Sequence, residues 1–256
     1  MPEGDTIHRT AATLRTVLEG RELQRFEAPR VRGRAPAAGS RIAAVEARGK
    51  HLLIHFGDGA VLHSHMRMTG SWHTYRTGEP WRRHASRARI VIETPSSVAV
   101  CFDAPVIELL DAPGVARHPQ LRALGPDLCV PAPDIDEALR RMDAADPATP
   151  IGVALLDQRV ASGVGNVYRS EVMWACRVNP FLPLAGVDPA RRRALLVTAA
   201  RMLRANLSSR RRETVPGGLA VYDRAGRPCH CCASAIRTRR LGEQARSVWW
   251  CPGCQA

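Results

Sequence analysis

The C-terminal cysteines constrain this chain more than any other feature of its sequence. Cys229 and Cys232 form one C-x-x-C pair, Cys251 and Cys254 form a second, and 18 residues lie between Cys232 and Cys251. Each pair can present two thiolates to one tetrahedral Zn²⁺, with the linker folded as a hairpin between the pairs. Because four protein ligands close the coordination shell, the spacing predicts one structural zinc ion.

Two further features belong to this module. His230 and Cys231 lie inside the first pair as competing ligands, although the C-x-x-C spacing favours the pair itself. The linker is rich in arginine, at positions Arg237, Arg239, Arg240 and Arg246. A zinc-bound hairpin with this charge is a plausible nucleic-acid finger.

The charge of the whole chain points to the same class of partner. The formal net charge is +13 at pH 7 over 256 residues, which indicates a polyanion, either nucleic acid or a membrane surface. No run approaches the ~20 apolar residues of a membrane-spanning helix. The start, MPEGDTIHRT, is acidic and polar where a secretory signal is basic and then apolar. We therefore expect a soluble cytoplasmic protein that has no membrane partner and binds nucleic acid.

Hydrophobic periodicity divides the chain into three parts. Helical spacing over residues 4–19 is followed, from about 22 to 110, by short alternating runs typical of an antiparallel sandwich or barrel. Helical patterns then occur near 134–145, 149–158, 166–177 and 188–207. The sequence thus predicts an α+β multidomain chain with domains at 1–124, 125–215 and 216–256. Cys101, Cys129 and Cys176 lie in apolar surroundings and are predicted to be buried thiols.

A glycine-rich turn joins two of the predicted helices in LLDQRVASGVGNVYRSE. Gly163 and Gly165 permit unusual backbone angles, and Asn166 is predicted to cap the following helix. Free N–H groups at a helix start can bind phosphate. The same pattern also fits an ordinary helix–turn–helix corner.

Lys50 is the one lysine among 37 basic residues. Lysine can release its proton when its surroundings lower its pKa, whereas arginine keeps its proton. A solitary lysine therefore suggests proton transfer, with chance survival in an arginine-biased sequence as the alternative.

Six motifs, in one order along nearly the whole chain, identify a resemblance. They are MPEG, RGKHLLIHF, HMRMTGS, LLDQRVASGVGNVYRSE, VYDRAGRPC and WWCPGCQ. Together they closely resemble the formamidopyrimidine-DNA glycosylase / endonuclease VIII family. The resemblance implies an N-terminal β-sandwich with flanking helices, a helix–two-turns–helix domain and a C-terminal zinc finger. It also implies a monomeric bacterial repair enzyme of the nucleoid that acts on damaged, double-stranded DNA as both a glycosylase and an abasic-site lyase.

The resemblance assigns catalytic roles to four residues. Pro2, exposed by removal of Met1, is the nucleophile that forms a Schiff base with the sugar. A neutral amine is needed for this chemistry, and both a helix start and the Lys50 cation disfavour an ammonium there. Glu3 matches the acid–base carboxylate, Lys50 the proton donor in β-elimination, and Arg246 the finger arginine of δ-elimination. Taken alone, Pro2 and Glu3 would also suit an ordinary helix start.

The same resemblance assigns the DNA contacts. Asn166 and Arg246 match residues that hold phosphate beside the lesion. Met68, flanked by Arg67 and Thr69, matches the wedge that fills the gap left by a flipped nucleotide. A core position at a strand end is the alternative for Met68.

The branch of the family follows from one segment. Formamidopyrimidine glycosylases carry a DPRRFG-like loop, where this chain reads DAPVIELLD (103–111). This favours the endonuclease VIII branch, of actinobacterial type, which prefers oxidised pyrimidines. The usual second carboxylate at position 6 is replaced by Thr6, and Asp5 is the candidate substitute.

Three other functions remain open at this point. They are a DNA-binding paralogue without catalysis, an abasic-site lyase with little base removal, and an RNA-binding zinc-ribbon protein. The joint presence of Pro2, Glu3, Lys50 and Arg246 favours the enzyme, because a pure binder needs none of them.

Overall fold

The computed structural model describes residues 2–209 and 211–256, and the chain divides into two compact units, Met1–Arg122 and Ala123–Ala256. Each unit has its own apolar core. Arg210, within the basic connector, lies outside the described residues, as does Met1.

The first unit begins with helix α1 (Gly4–Leu18). Its apolar residues recur every three or four positions, so that Ile7, Ala11, Leu14 and Leu18 are all buried on one face. This face joins a core to which strands of two sheets contribute. The helix predicted for residues 4–19 is confirmed.

Eight strands follow in this unit. They are β1 (Arg25–Glu27), β2 (Ile42–Arg48), β3 (His51–Phe56), β4 (Ala60–His65), β5 (Ser71–Arg76), β6 (Ala88–Glu93), β7 (Ser97–Phe102) and β8 (Val106–Asp111). They form two four-stranded antiparallel sheets, in the orders β1-β6-β7-β5 and β2-β3-β4-β8. Both sheets bury apolar side chains in the shared core, which confirms the predicted sandwich. Two short helices, α2 (Ala112–Arg117) and α3 (Pro119–Ala123), come after β8.

Side chains alternate between the two faces of β3 and β4. Leu52 and Ile54 enter the core, as does Leu62 on the neighbouring strand. Since successive residues of a strand point to opposite faces, His51 and His63 lie on the face turned away from this core.

The second unit contains helices and one hairpin. The helices are α4 (Ile135–Asp143), α5 (Ile151–Ala154), α6 (Asn166–Ala175) and α7 (Pro189–Ala205), and the hairpin strands are β9 (Arg237–Leu241) and β10 (Arg246–Trp250). α6 packs against α7 and against β10, and the helices share one core. A smaller apolar cluster surrounds the cysteines and includes Val221 and Ile236. The helical part and the cysteine module thus lie in one compact unit, and their division at residue 215 stays a prediction.

Side-chain caps set the starts of two helices in the second unit. Asp134 accepts a hydrogen bond from the Glu137 N–H at α4, and Asp188 accepts one from the Arg191 N–H at α7. The helix predicted for 149–158 is much shorter, because Pro150 precedes α5 and the chain leaves the helix in a turn at Asp157.

The cysteines outside the C-terminal module differ in their burial. Cys101 and Cys129 are buried as predicted, but Cys176 at the end of α6 is only half-buried. None of the described helices has the length and apolar character needed to cross a membrane.

Candidate functional site

Two carboxylates are buried at the start of α1. Glu3 is 0% exposed and Asp5 is 1% exposed, directly after a half-buried Pro2. The side chain of Glu3 does not cap the helix, although its backbone carbonyl accepts the Ile7 N–H at 3.0 Å. Thr6 donates its hydroxyl to Asp5 Oδ1 at 3.3 Å. Burial of a carboxylate costs free energy, so an ordinary surface glutamate does not account for Glu3.

Lys50 lies in the turn between β2 and β3 rather than on the strand itself. The turn is tight because Gly49 has a φ of 55°, a left-handed value that favours glycine. Lys50 is half-buried and directly precedes His51, the first residue of β3. Its position at a hairpin end fixes the backbone from which the ammonium extends.

The β4–β5 loop, residues 66–70, presents an exposed methionine. Met68 is 65% exposed, which excludes the core position considered above. Arg67 has a φ of 48°, and Thr69 donates its hydroxyl to the Asp103 carbonyl at 3.0 Å. A Cβ on Gly70 would lie 2.8 Å from the Met66 backbone, so the loop closes too tightly there for a larger residue.

A row of histidines lies beside this loop and was not anticipated from the sequence. His51 Nδ1 lies 2.8 Å from His63 Nε2, and His63 Nδ1 lies 2.7 Å from Glu108 Oε2. His118 Nε2 contacts the same carboxylate oxygen at 2.9 Å, and the His65 ring stands edge-on to His51 at 4.8 Å between centroids. The spacing of two between His63 and His65, on a strand next to His51, was the available signal.

These groups shift one another's protonation. Burial, together with the electrostatic effect of the neighbouring histidines, lowers the pKa of His51 to about 2. Burial also lowers the pKa of His65 to about 4, helped by Arg67 and Lys50. For Glu108, burial works in the opposite direction, but hydrogen bonds from His63 and His118 keep its pKa below the ordinary value.

In the second unit, the start of α6 is joined to the hairpin. Asn166 Nδ2 donates to the Ser247 carbonyl at 2.8 Å. Arg169, only 1% exposed, donates to Asn166 Oδ1 and to the carbonyls of Ser247 (2.8 Å) and Arg246 (3.4 Å). The helix start and the first residues of β10 therefore form one hydrogen-bonded unit, which brings the predicted residues Asn166 and Arg246 together.

The cap prediction at this helix is wrong in detail. Gly165 occupies the cap position with extended angles that any residue adopts, and Asn166 is the first helical residue. Gly163, by contrast, has a φ of 105°, as the predicted turn requires. Because Asn166 does not cap the helix, its amide is used to bind β10 instead.

Glu171 is a second buried group that the sequence did not single out. It is 0% exposed and accepts the N–H groups of Ala220, Val221 and Tyr222 at 2.6, 2.9 and 2.7 Å. The hydroxyl of Thr214 also donates to it. This carboxylate ties the segment before the cysteines to α6. Charged residues inside the apolar run NVYRSEVMW were the only sequence signal.

The four predicted cysteines converge. Their sulfur atoms lie within 4.8 Å of one another, with Cys232 at 3.3 Å from Cys251 and 3.4 Å from Cys254. Tetrahedral zinc–thiolate bonds of about 2.3 Å require sulfur separations near 3.8 Å, so the set fits one metal ion. Trp174 Nε1 donates to Cys229 Sγ at 3.3 Å, a contact suited to a thiolate.

The competing ligands in the first pair are resolved by geometry. Cys231 and His230 are exposed and do not belong to the group of four. The backbone N–H of Cys231 instead donates to Cys229 Sγ at 3.4 Å. A Cβ on Gly253 would lie 3.0 Å from Cys232 Sγ, so the second pair closes around the cluster.

Comparisons with known proteins cover both units. Residues 1–105 match the family model of the formamidopyrimidine-DNA glycosylase N-terminal domain, and residues 124–214 match that of its H2TH domain. Among solved structures, MutM in complex with carbocyclic 8-oxo-G containing DNA has a TM-score of 0.82 at 22% identity, with 99% of each chain covered. The Lactococcus lactis Fpg complex with abasic-site DNA has a TM-score of 0.82 at 20% identity, with 100% of each chain covered. At these identities the likeness concerns the fold.

Curated relatives match along the whole chain. "Probable endonuclease 8 2" of Streptomyces coelicolor is 40% identical over 265 residues, covering 100% of this chain and 94% of that protein. "DNA-(apurinic or apyrimidinic site) lyase Nei2" of Mycolicibacterium smegmatis is 41% identical over 266 residues, covering 100% and 99%. Endonuclease 8 of Escherichia coli is 30% identical over 267 residues, covering 100% of both. Since relatives of this similarity span the chain and the domain models match both its units, the protein belongs to the formamidopyrimidine-DNA glycosylase / endonuclease VIII family of DNA glycosylases and abasic-site lyases.

Proposed function

We propose that this protein is a bifunctional DNA glycosylase and abasic-site lyase of base excision repair that removes oxidised bases, pyrimidines in particular. The observation that carries this proposal is the complete burial of Glu3 next to Pro2. Burial directly beside a proposed nucleophile is typical of a carboxylate with an acid–base role. Relatives named endonuclease 8 support the same activity.

In the proposed first half of the reaction, Pro2 is the nucleophile. With Met1 removed, its secondary amine attacks C1′ of the damaged nucleoside, the bond to the base breaks, and the nitrogen becomes an iminium as the sugar opens. Glu3 carries protons between the sugar oxygen and the site. The start of α1 disfavours a positive charge on Pro2 and so keeps the amine reactive.

In the second half, the strand is cleaved by β- and then δ-elimination. Lys50 donates a proton in the first step, which arginine would do poorly because it holds its proton too tightly. Arg246 assists the second step and contacts phosphate together with Asn166. The hydrogen bonds that join the α6 start to β10 support a shared role for these two residues.

The partner is double-stranded damaged DNA, bound by a monomer. Met68 is the wedge that replaces the extruded nucleotide, with Arg67 and Thr69 beside it. Strand β8 occupies the segment where formamidopyrimidine glycosylases carry their base-probing loop, which supports the preference for oxidised pyrimidines.

The metal is one structural Zn²⁺ held by Cys229, Cys232, Cys251 and Cys254. When bound, it supplies folding free energy to the finger. The cysteines and the hydrogen bonds to their sulfur atoms then hold β9 and β10 with their arginines in place. Chelation should release about one zinc per chain and weaken DNA binding, as metal analysis and a binding titration would test. Undiminished binding by the metal-free protein would count against this finger.

Borohydride trapping tests the nucleophile directly. Incubation with abasic-site DNA and borohydride should give a covalent adduct, and Pro2→Gly should abolish it. Mass spectrometry of the purified protein should find Met1 absent. An undiminished adduct in the variant, or full strand incision with Met1 attached, would overturn the assignment. Duplexes that each carry one damaged base would then define the lesion preference.

A second candidate is a paralogue with weak base removal that acts mainly on abasic sites. It is favoured by the replacement of the usual carboxylate at position 6 by Thr6, whose hydroxyl contacts Asp5. The name of the Mycolicibacterium relative, an abasic-site lyase, agrees with it. Comparable turnover of thymine-glycol and abasic-site duplexes would exclude this candidate.

A further inference from the structure

The β4–β5 loop is anchored in the core by Met66 but projects its second methionine to the surface. Met68 is 65% exposed, and the residue before it, Arg67, has a left-handed backbone. L-residues rarely adopt that conformation unless their surroundings impose it. The hydrogen bonds of the loop therefore contribute to the direction in which Met68 points.

Three hydrogen bonds tie the loop. Arg67 N–H donates to His65 Nδ1 at 3.0 Å, Gly70 N–H donates to the Met66 carbonyl at 2.8 Å, and the Thr69 hydroxyl donates to the Asp103 carbonyl. Only the first of these is made by the left-handed residue itself. It is also the one tie whose acceptor titrates, because Nδ1 accepts a hydrogen bond only while it carries no proton.

The neighbouring hydrogen bonds define the tautomers of the row. An ionised carboxylate only accepts, so His63 donates through Nδ1 to Glu108, and a neutral His63 then accepts at Nε2 from the Nδ1–H of His51. His118 donates through Nε2 to Glu108 and accepts the Leu121 N–H at Nδ1, 3.3 Å away. Both ring nitrogens of His63 and of His118 are thus satisfied in the neutral form, and His51 donates to His63.

The surroundings keep His65 neutral as well. Burial lowers its pKa to about 4, and the nearby positive charges of Arg67 and Lys50 act in the same direction. The His51 ring stands edge-on against it and limits its rotation. At neutral pH, His65 therefore carries its proton on Nε2 and offers Nδ1 to the loop.

We propose that His65 is a positioning residue for lesion extrusion: its unprotonated Nδ1 holds the Arg67 N–H and thereby sets the turn that projects Met68. The ordered row from Glu108 through His63 to His51 holds the ring of His65 in place. This inference rests on the proposed function, because it assigns Met68 the part of the wedge. It places the control of base extrusion on a residue that takes no part in bond cleavage.

The test compares one lesion in two settings. A wedge is needed when a lesion is extruded from a paired duplex, but much less when the lesion already lies in an unpaired bubble. His65→Ala should lower the single-turnover rate on the duplex by roughly three- to tenfold, the loss expected for one hydrogen bond, and change the bubble rate by less than about twofold. His65→Asn should restore most of the duplex rate, because its Oδ1 can accept the Arg67 N–H.

Two further variants serve as a control outside the histidine row and as a direct test of the wedge. His55, on the same strand as His51, pairs with Glu46 outside the row, so His55→Ala should leave both rates unchanged. Met68→Ala should show the same duplex-specific loss, and adding it to His65→Ala should cause little further loss, since both act through one wedge.

Each outcome bears on a separate claim. Equal losses on duplex and bubble, or full duplex activity in His65→Ala, would overturn the positioning role and leave the proposed function standing. Wild-type protein without activity on either substrate would instead overturn the proposed function. Nitrogen-15 NMR reads the His65 tautomer without any substrate, and a protonated Nδ1 at neutral pH would overturn the inference by itself.

Discussion

A buried carboxylate is stable only when hydrogen-bond donors replace the water it has lost, and Glu171 has four such donors. Three are consecutive backbone N–H groups from Ala220 to Tyr222, and the fourth is the hydroxyl of Thr214. Since a carboxylate accepts at every lone pair, this arrangement suits Glu and no neutral residue.

Glu171→Gln should therefore destabilise the protein by about 2–4 kcal/mol, because the amide NH₂ would face donors and leave one of them unsatisfied. Urea unfolding measures the change. Glu137→Gln is the matched control, since Glu137 pairs with arginines at the partly exposed surface of α4 and its loss should cost under ~1 kcal/mol. Equal midpoints for the two variants would contradict the anchoring role of Glu171.

The buried histidines make stability depend on pH. In the unfolded chain they bind protons below about pH 6.5, whereas native His65 does so only near pH 4 and native His51 near pH 2. The unfolded state thus holds more protons between these values, so stability is complete above about pH 6.5 and falls as the pH drops towards 4. Each unit of pKa difference corresponds to about 1.4 kcal/mol at full effect.

Urea unfolding at about pH 7, 5.5 and 4.5 should show this decline, and His65→Asn should make it shallower by removing one titrating group. The pKa of Glu108 lies below its ordinary value, so its own contribution is lost only at still lower pH. Stability that is constant over this range would show that the histidines are not held neutral.

At the scale of elements, the joint between α6 and β10 depends on one buried guanidinium. Arg169 contacts Asn166 and the backbone of Arg246 and Ser247, so it orients the finger strand against the helix start. Arg169→Leu should weaken DNA binding by roughly tenfold or more, because hydrogen bonds to a charged group contribute about 1.5–3 kcal/mol each. Binding titrations measure the loss, and zinc content should stay at the wild-type level.

Arg201→Ala, on the exposed surface of α7, provides the control for lost charge. If Arg201→Ala weakens DNA binding as much as Arg169→Leu does, the loss of one positive charge explains both effects, and the hydrogen bonds between α6 and β10 do not determine the affinity. Loss of zinc in the Arg169 variant would point to a disrupted finger instead.

Some features of the fold could be predicted from the sequence and others could not. The spacing of the cysteines and the helical period of α1 are local patterns, and the convergence of the four cysteines and the helix are both confirmed. The histidine row and Glu171 depend on partners far along the chain, such as Glu108 with His63. Such pairs cannot be predicted from local sequence. The register of β4 and β8 brings Glu108 to His63, and the packing of α6 brings Glu171 to its donors. The roles of Pro2 and Lys50 stay predictions.

At the scale of the whole molecule, the two units carry different parts of the proposed chemistry. Pro2, Glu3, Lys50 and the β4–β5 loop belong to the first unit, whereas Asn166, Arg246 and the cysteines belong to the second. Under the proposed assignments, proton transfer at Glu3 and Lys50 belongs to the sandwich unit, and phosphate binding belongs largely to the helix–finger unit. The excess of positive charge should then act on DNA affinity far more than on the chemical step.

The salt dependence of DNA affinity tests whether the arginines of the finger bind phosphate. Neutralising DNA phosphates releases counterions, so the logarithm of affinity should fall linearly with the logarithm of salt concentration. Arg239 and Arg240 are exposed on β9 of the finger, and replacing either with Gln should reduce the slope by about one. Arg25→Gln removes the same charge from β1, where Arg25 is paired with Glu27 and Glu93, and it should leave the slope unchanged. A similar change of slope in all three variants would mean that net charge, rather than the finger, determines the affinity.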